Sequence, residues 1–383
     1  MTRIDEALPV PLQNSTSRPP GFWRGTALIA KLELMQRRRS RTLWVLGIVW
    51  FVIIGVVTLL SWFVLRAIAG DSPSAVDTYP MFSLIVYFVL LFGSLVAPAI
   101  SAGSIGSDRT GGTLATTQVT LVSTWSILLG KALAAWLTGI AFLVVASPFL
   151  ILSLALARFD VRQLLLALLG LVLQIGLFTI IGVGLSACIS SQVFAIVTAY
   201  LIVALLSVGT LIAFALAVGT TTKYVEIEYR SLSSEYWAEQ AKCEPAGDPE
   251  CVEAIPLDCE TITSSVPVTQ YDRFWWILSM NPYVVLGDLA TTGTDPSDGE
   301  DLFAIVSVTV RSAQIAPDTP RGWDNCVAPV TEEEAIGSET AGTIPVWWIG
   351  LLLQGALAAG ALGAGYARLR TPARKLPKGT RIA

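Results

Sequence analysis

Six stretches of the chain, approximately 43–65, 81–102, 132–157, 163–187, 193–219 and 345–367, contain no Asp, Glu, Lys or Arg. Each is long enough to cross the hydrocarbon core of a bilayer as a helix, which takes roughly 20 residues. Six such runs in 383 residues leave too little polar sequence to cover them in water. Charged residues make up only 14% of the chain, against about 25% in soluble domains. In lipid the backbone must satisfy its own polar groups, so each run is expected to be a helix. The first run starts too far into the chain, and is too long, for a cleaved signal core, and no A-x-A-like site follows it.

Lys and Arg set the orientation. Eight basic residues precede Leu43, and six follow Ala367 with no acidic residue among them. Both ends are therefore expected on the cytoplasmic side. The loop at 220–344 between the fifth and sixth runs then lies outside. It carries 22 of the 29 acidic and 6 of the 25 basic residues, a net charge of −16 set against +12 on the cytoplasmic side. A solvated acidic surface is the default reading of those carboxylates. The net charge of −4 gives no basis for a nucleic-acid partner. The expected fold is an all-α polytopic membrane protein, with six transmembrane helices, N-in and C-in. It carries a large disulfide-containing ectodomain between helices 5 and 6.

The disulfide expectation rests on Cys243, Cys251, Cys259 and Cys326, all in the outer loop. An even number in an oxidising compartment suggests two bridges, with three pairings open. Their spacings fit no zinc pattern, and the chain has no His, so no metal site is expected. The remaining Cys188 reads as a small apolar packing residue.

The chemistry of the chain is mostly one of exclusions. The lack of His removes His-based triads and relays. There is no G-x-x-x-x-G-K-[ST] phosphate loop, no H-E-x-x-H and no G-x-S-x-G elbow. No catalytic residue and no cofactor is expected in this chain. Ion-coupled carriers need intramembrane ionisable groups, whereas here Gln174 and Gln354 are the most polar side chains within the runs.

Between the runs, residues 1–21 read as a disordered cytoplasmic tail and 22–41 as an amphipathic helix on the membrane surface. Phe22, Trp23, Leu28, Leu32 and Met35 can share one face of it, with Lys31 and Arg37–Arg39 at headgroup level. The cytoplasmic loop 103–131 has a Gly111-Gly112 pair that breaks one helix, and Thr113 can start another. In the outer loop, Tyr224–Lys242 reads as a polar helix and Phe274–Leu286 as an interfacial or re-entrant piece broken by Pro282. The short run Leu302–Val310 reads as a strand or a helix of an ectodomain core. In the last run Gly355, Ala359 and Gly363, and Ala356, Gly360 and Ala364, form small-residue faces suited to close helix contact, within the chain or in a dimer. Residues 368–383 are a basic cytoplasmic tail.

The loop from Ile105 to Lys131 resembles the cytoplasmic segment of ABC-2-type exporter permeases (type V, G-like). It has the acidic–basic pair Asp108-Arg109, then Gly112-Thr113-Leu114, then Gly130-Lys131 at the next run. Asn281-Pro282 is similar to the Asn-Pro found before the family's final span. The family usually has Glu where Asp108 stands. The resemblance covers about 22–219 and 345–370.

It implies a permease that works with a separate cytosolic ABC ATP-binding subunit, where ATP and Mg are held, and with a second permease copy or a related permease in the lipid membrane. It implies a coupling loop at Asp108, Arg109, Gly112, Thr113 and Leu114, and a connecting helix carrying Trp23, Lys31, Arg37 and Arg38. The second and fifth spans would face the centre. The cargo expected of such apolar spans is amphipathic, lipid-like or drug-like, moved across a bacterial cytoplasmic membrane. A membrane-anchored sensor or assembly protein with a ligand-binding ectodomain is the alternative.

Overall fold

The structure is a computed structural model that describes residues 21–69, 80–112, 123–156, 161–243, 255–256, 258–291, 301–316 and 342–370. The chain starts with α1 (Phe22–Arg38), followed by the long helix α2 (Arg41–Ala69). Then come α3 (Pro80–Ser101) and the short α4 (Ser104–Thr110). Next are α5 (Thr124–Leu156) and α6 (Val161–Cys188). The fifth apolar run is α7 (Gln192–Ala204), a π turn at Leu205–Gly209, and α8 (Thr210–Gly219). After an intervening region, α13 (Trp347–Leu369) forms the sixth. Six of these helical segments are long and apolar enough to cross a membrane.

The spans differ in how much of their surface the chain covers. The windows of the second and fourth are 50% and 44% buried, and those of the first and fifth only 17% and 22%. So α3 and α6 sit centrally, while α2 and α7–α8 leave broad apolar faces uncovered. The main core gathers Trp50, Ile54, Ile85, Leu90, Leu150, Leu171 and Phe178 from α2, α3, α5 and α6. Trp50 stacks on Phe92 with centroids 3.7 Å apart, and its indole donates to the Phe142 carbonyl at 3.2 Å. That bond satisfies the one polar atom of a buried Trp.

Three segments of the stretch between the fifth and sixth spans bear on its expectation: the first departs from it, and the third takes the helical one of its two alternatives. First, Lys223–Leu232 is a strand, β1, and not the start of a helix. It pairs antiparallel with β2 (Cys259–Val268), from Lys223↔Val268 to Leu232↔Cys259. Val225, Ile227 and Tyr229 alternate with exposed Glu226, Glu228 and Arg230, the period-2 pattern of a half-buried strand. The chain is thus mostly helical, as expected of an all-α polytopic membrane protein, with one two-stranded ribbon added in this stretch. Helix α9 (Ser234–Cys243) follows β1, so the helical part of the expected segment starts ten residues late.

Second, the apolar run becomes α10 (Trp275–Ser279) and α11 (Pro282–Ala290), wedged among the spans. Leu286 packs against Gly170, nine residues into α6 from Val161, roughly 13 Å along the axis. The pair therefore packs along the fourth span, as either an interfacial or a re-entrant piece would. Asn281 is what seats it. Its Oδ1 accepts from the Tyr283 N–H at 2.9 Å, capping α11. Its Nδ2 donates to the Ser207 carbonyl at 2.6 Å and to Thr210 Oγ1 at 3.0 Å. Ser207 lies in the π turn of the fifth span, where the helical ladder frees a carbonyl. Pro282 fits the first helical position because its missing N–H would be unpaired there anyway. Asn281→Ala should lower the thermal unfolding midpoint, through a loss of about 1–3 kcal/mol from the cap and the orphaned carbonyl. An unchanged midpoint in lipid nanodiscs would count against this seating.

Third, Leu302–Ser312 is a helix, α12, that packs on α11 and α3. Asp288 joins these pieces. Its fully buried carboxylate accepts from Ser307 Oγ (2.7 Å), Arg311 Nε (2.8 Å) and the backbone N–H groups of Val346 (2.6 Å) and Trp347 (3.0 Å). At least this outer-loop carboxylate is not part of a solvated surface.

The small-residue stripes of α13 are not its contact face within the chain. A side chain added at Gly355, Gly360 or Gly363 would meet nothing within 4 Å. The close approach to α6 runs through Gly365 and Gly184 instead, where an added Cβ on Gly365 would stand 2.7 Å from the Ala187 Cβ and 2.9 Å from the Gly184 carbonyl.

Candidate coupling site

The described residues singled out between Trp23 and Lys131 lie at one end of the bundle, where α1, α4, the start of α5 and the end of α6 meet. The loop expected at 103–131 is shorter than that. Its first part is α4, which nearly continues α3, and its last part is the first two turns of α5. Gly111 and Gly112 end α4, and Gly112 has a φ of +71°, a conformation that glycine adopts without cost. Thr113 and Leu114 lie outside the described residues.

Helix α4 is held on both sides. Ser186 Oγ of α6 accepts from the N–H groups of Ile105 (3.0 Å) and Gly106 (3.3 Å), capping the start of α4 from another helix. Arg109 donates to the Ala187 carbonyl at 2.7 Å and the Ile189 carbonyl at 2.9 Å. These are among the carbonyls that a helix end leaves without partners, and a cation there also meets the negative end of the helix dipole. Asp108 turns the other way, to Lys131 Nζ at 2.8 Å.

Lys131 is the centre of the cluster. It is 4% exposed and also pairs with Glu33 of α1, while donating to the Ser104 carbonyl at 3.3 Å. Arg37 lies 3.7 Å from Glu33 and donates to the Ile100 carbonyl at 3.0 Å. Burial pushes the Arg37 guanidinium down from its ordinary value, and Glu33 works against that shift. One buried ammonium therefore ties α1, α4 and α5 together. The residue before it lets them approach: a Cβ on Gly130 would stand 2.7 Å from the Ile29 Cβ and 2.9 Å from the Thr26 carbonyl.

The exposed side of α1 has the expected composition. Phe22, Trp23, Leu28, Leu32 and Met35 are all exposed, as are Lys31 and Arg38, while Gly25, Thr26 and Ala30 are buried. Arg37 differs from the rest, since it points at Glu33 and α3. A second core beneath the cluster gathers Ile105, Leu128, Val183, Ala187 and Leu362. Trp125 stacks on Tyr366 with centroids 4.5 Å apart, which brings in the end of α13.

So Asp108 and Arg109 are brought together with Lys131 and α6, and Arg37 with Glu33. Trp23, Lys31 and Arg38 stay on the free side of α1. Glu33 and Ser186 are contributors that reading the sequence missed. Glu33 had a signal: it is the only acidic residue between Gly21 and Ala69 and stands one turn before Arg37. Ser186 had none. Among the described residues no His, Cys, Asp or Glu cluster could hold a metal ion.

The family described as ABC-2 family transporter protein matches residues 27–271. No curated protein matches the chain in sequence. The match runs from α1 through the first five spans into the stretch that holds the ribbon, and the sixth span follows it. Together with six helices apolar enough to cross a membrane, it makes this chain a member of the ABC-2 transporter family, a multi-pass membrane permease component of an ABC transporter.

Proposed function

We propose that the chain is the permease subunit of an ATP-driven exporter, energised by a separate cytosolic ATP-binding subunit that presses on α4 and the residues after it. The observation that carries this is the Lys131 cluster. A short helix bolted by Asp108 to α5 and by Arg109 to α6 cannot move without moving those spans. A push there becomes a rigid-body shift of the bundle. The chain contributes no phosphate loop, so ATP and Mg belong to the partner.

In this reading the α1 end is cytoplasmic, in keeping with its Arg and Lys excess. The ribbon and the residues around it form an extracytoplasmic domain. Disulfides among the cysteines of this stretch would suit an oxidising outer compartment; Cys243 and Cys259 lie in described elements, while Cys251 and Cys326 lie outside the described residues. The uncovered face of the fifth span supports pairing with a second permease copy there. Uncharged, apolar spans suit an amphipathic, lipid-like or drug-like cargo.

Thr110, at the exposed end of α4, gives the test. Thr110→Cys should form a disulfide cross-link to cysteines placed on the co-expressed ATP-binding subunit. The cross-link should change when ATP is trapped. Co-purification without any cross-link from α4 would reject this docking site, and no co-purification would reject the partner.

A further inference from the structure

Two apolar grooves flank α5 just inside the α1 end, and they differ in one respect. One, a cavity of about 410 Å³ between α1, α5 and α6, is lined by Trp23, Leu133, Trp136, Leu177 and neighbours, with no charged residue. The other, of about 380 Å³, lies between α1, α2 and α5. Its walls are Leu34, Leu43, Gly47, Leu137 and Phe142, and its mouth is Arg37 and Arg38. Arg39 and Arg41 are exposed close by in sequence. Glu33 is the only acidic residue between Gly21 and Ala69, and Lys131 and Arg37 already engage it. The mouth is therefore a cationic rim above an oily slot.

We propose that this second groove holds one acyl chain of an anionic phospholipid, with the lipid phosphate at Arg38. Charge complementarity selects that occupant. Basic pockets between spans at the membrane surface suit anionic headgroups, and Arg recognises phosphate through a planar fork of donors. The groove is continuous with the uncovered, apolar face of α2, where Trp44 and Ile48 are exposed, so a lipid enters it sideways from the bilayer. Arg37 is pinned by Glu33 and the Ile100 carbonyl, which fixes one wall of the mouth and leaves Arg38 on the exposed side. The Trp44 indole donates to the Arg38 carbonyl at 3.1 Å and so stands at the rim as a built-in reporter. The site requires no ATP-binding partner, and its test stands apart from that of the transport reading.

The experiment uses the full-length protein in phosphatidylcholine liposomes doped with chain-brominated phosphatidylglycerol or chain-brominated phosphatidylcholine. Quenching that is lost in Trp44→Phe reports on the groove. Phosphatidylglycerol should quench Trp44 at about fivefold lower mole fraction than phosphatidylcholine, the contribution of one basic residue near the phosphate. Arg38→Gln should abolish that preference. Gly47→Leu keeps every charge and fills the slot, because the only contact awaiting a Cβ there is the Phe142 ring at 4.0 Å. It should abolish the preference too. Equal quenching by both lipids in the wild type overturns the proposal. So does a preference that survives Gly47→Leu, since it would then belong to the surface charge alone.

Discussion

Lys131→Met should be among the most damaging single substitutions in this chain, costing about 3–5 kcal/mol, the usual loss when one partner of a buried ion pair is removed. The methionine keeps the length and apolar stem of lysine, so packing is almost unchanged. What disappears is the ammonium that holds Asp108 at 2.8 Å, pairs with Glu33 and donates to the Ser104 carbonyl. The Lys131 and Glu33 side chains are 5% and 17% exposed, so water can replace little of what is lost. Arg37, at 3.7 Å from Glu33, compensates that carboxylate in part, while Asp108, 26% exposed, loses its partner at 2.8 Å. The expected readings are a lower thermal midpoint in nanodiscs and faster proteolysis at the junction of α1 and α2. Glu33→Gln and Asp108→Asn added to Lys131→Met should restore much of the midpoint, because a neutral, hydrogen-bonded core costs less than unpaired charge. In the presence of an ATP-binding partner, the restored triple variant should still hydrolyse ATP yet transport poorly, since α4 is no longer bolted to α5. A Lys131→Met protein as stable as wild type would sink the ion-pair account.

The same cluster marks where reading the sequence stopped. Six spans were legible because lipid imposes one rule on every residue of a span, and a local run satisfies or breaks it. The exposed face of α1 was legible for the same reason. The roles of Asp108 and Arg109 were not. In sequence they look like an exposed charged pair at a loop. In space their partners are Lys131 and the carbonyls of Ala187 and Ile189, some 20 and 80 residues away. Gly130-Lys131 could be recognised as a motif, but its physical reason needs α1 beside it. The ribbon was a different kind of miss. Val225, Ile227 and Tyr229 alternate in plain sight, and the polar residues between them were read as a helix face. The small-residue stripes of α13 fitted either packing within the chain or a dimer; within the chain they are not the contact face, because sequence fixes a helix's periodicity but not which of its faces meets a neighbour.

Asp288→Ala should match Lys131→Met in size, about 3–5 kcal/mol, at the opposite end of the bundle. One carboxylate there serves four donors from two segments, Ser307 and Arg311 of α12 and the N–H groups of Val346 and Trp347 at the start of α13. Those two N–H groups open α13, where a helix has donors without intrahelical partners and a positive dipole end. Val346 itself offers no side-chain cap. Asp288 is thus the cap of the last span, supplied from α11. Removing it strands the Arg311 guanidinium, whose side chain is 15% exposed, and two backbone donors at once. Asp288→Asn separates the parts. It keeps an acceptor for the N–H groups and loses the charge, so its midpoint should fall by less. Hydrogen exchange should discriminate further. The amides of Val346 and Trp347 should exchange faster in Asp288→Ala, while those in the middle of α13, around Ala358, stay protected. If the Val346 and Trp347 amides keep wild-type rates in Asp288→Ala, then something other than this carboxylate holds the start of the sixth span. The link from α11 and α12 to the sixth span would then lie elsewhere.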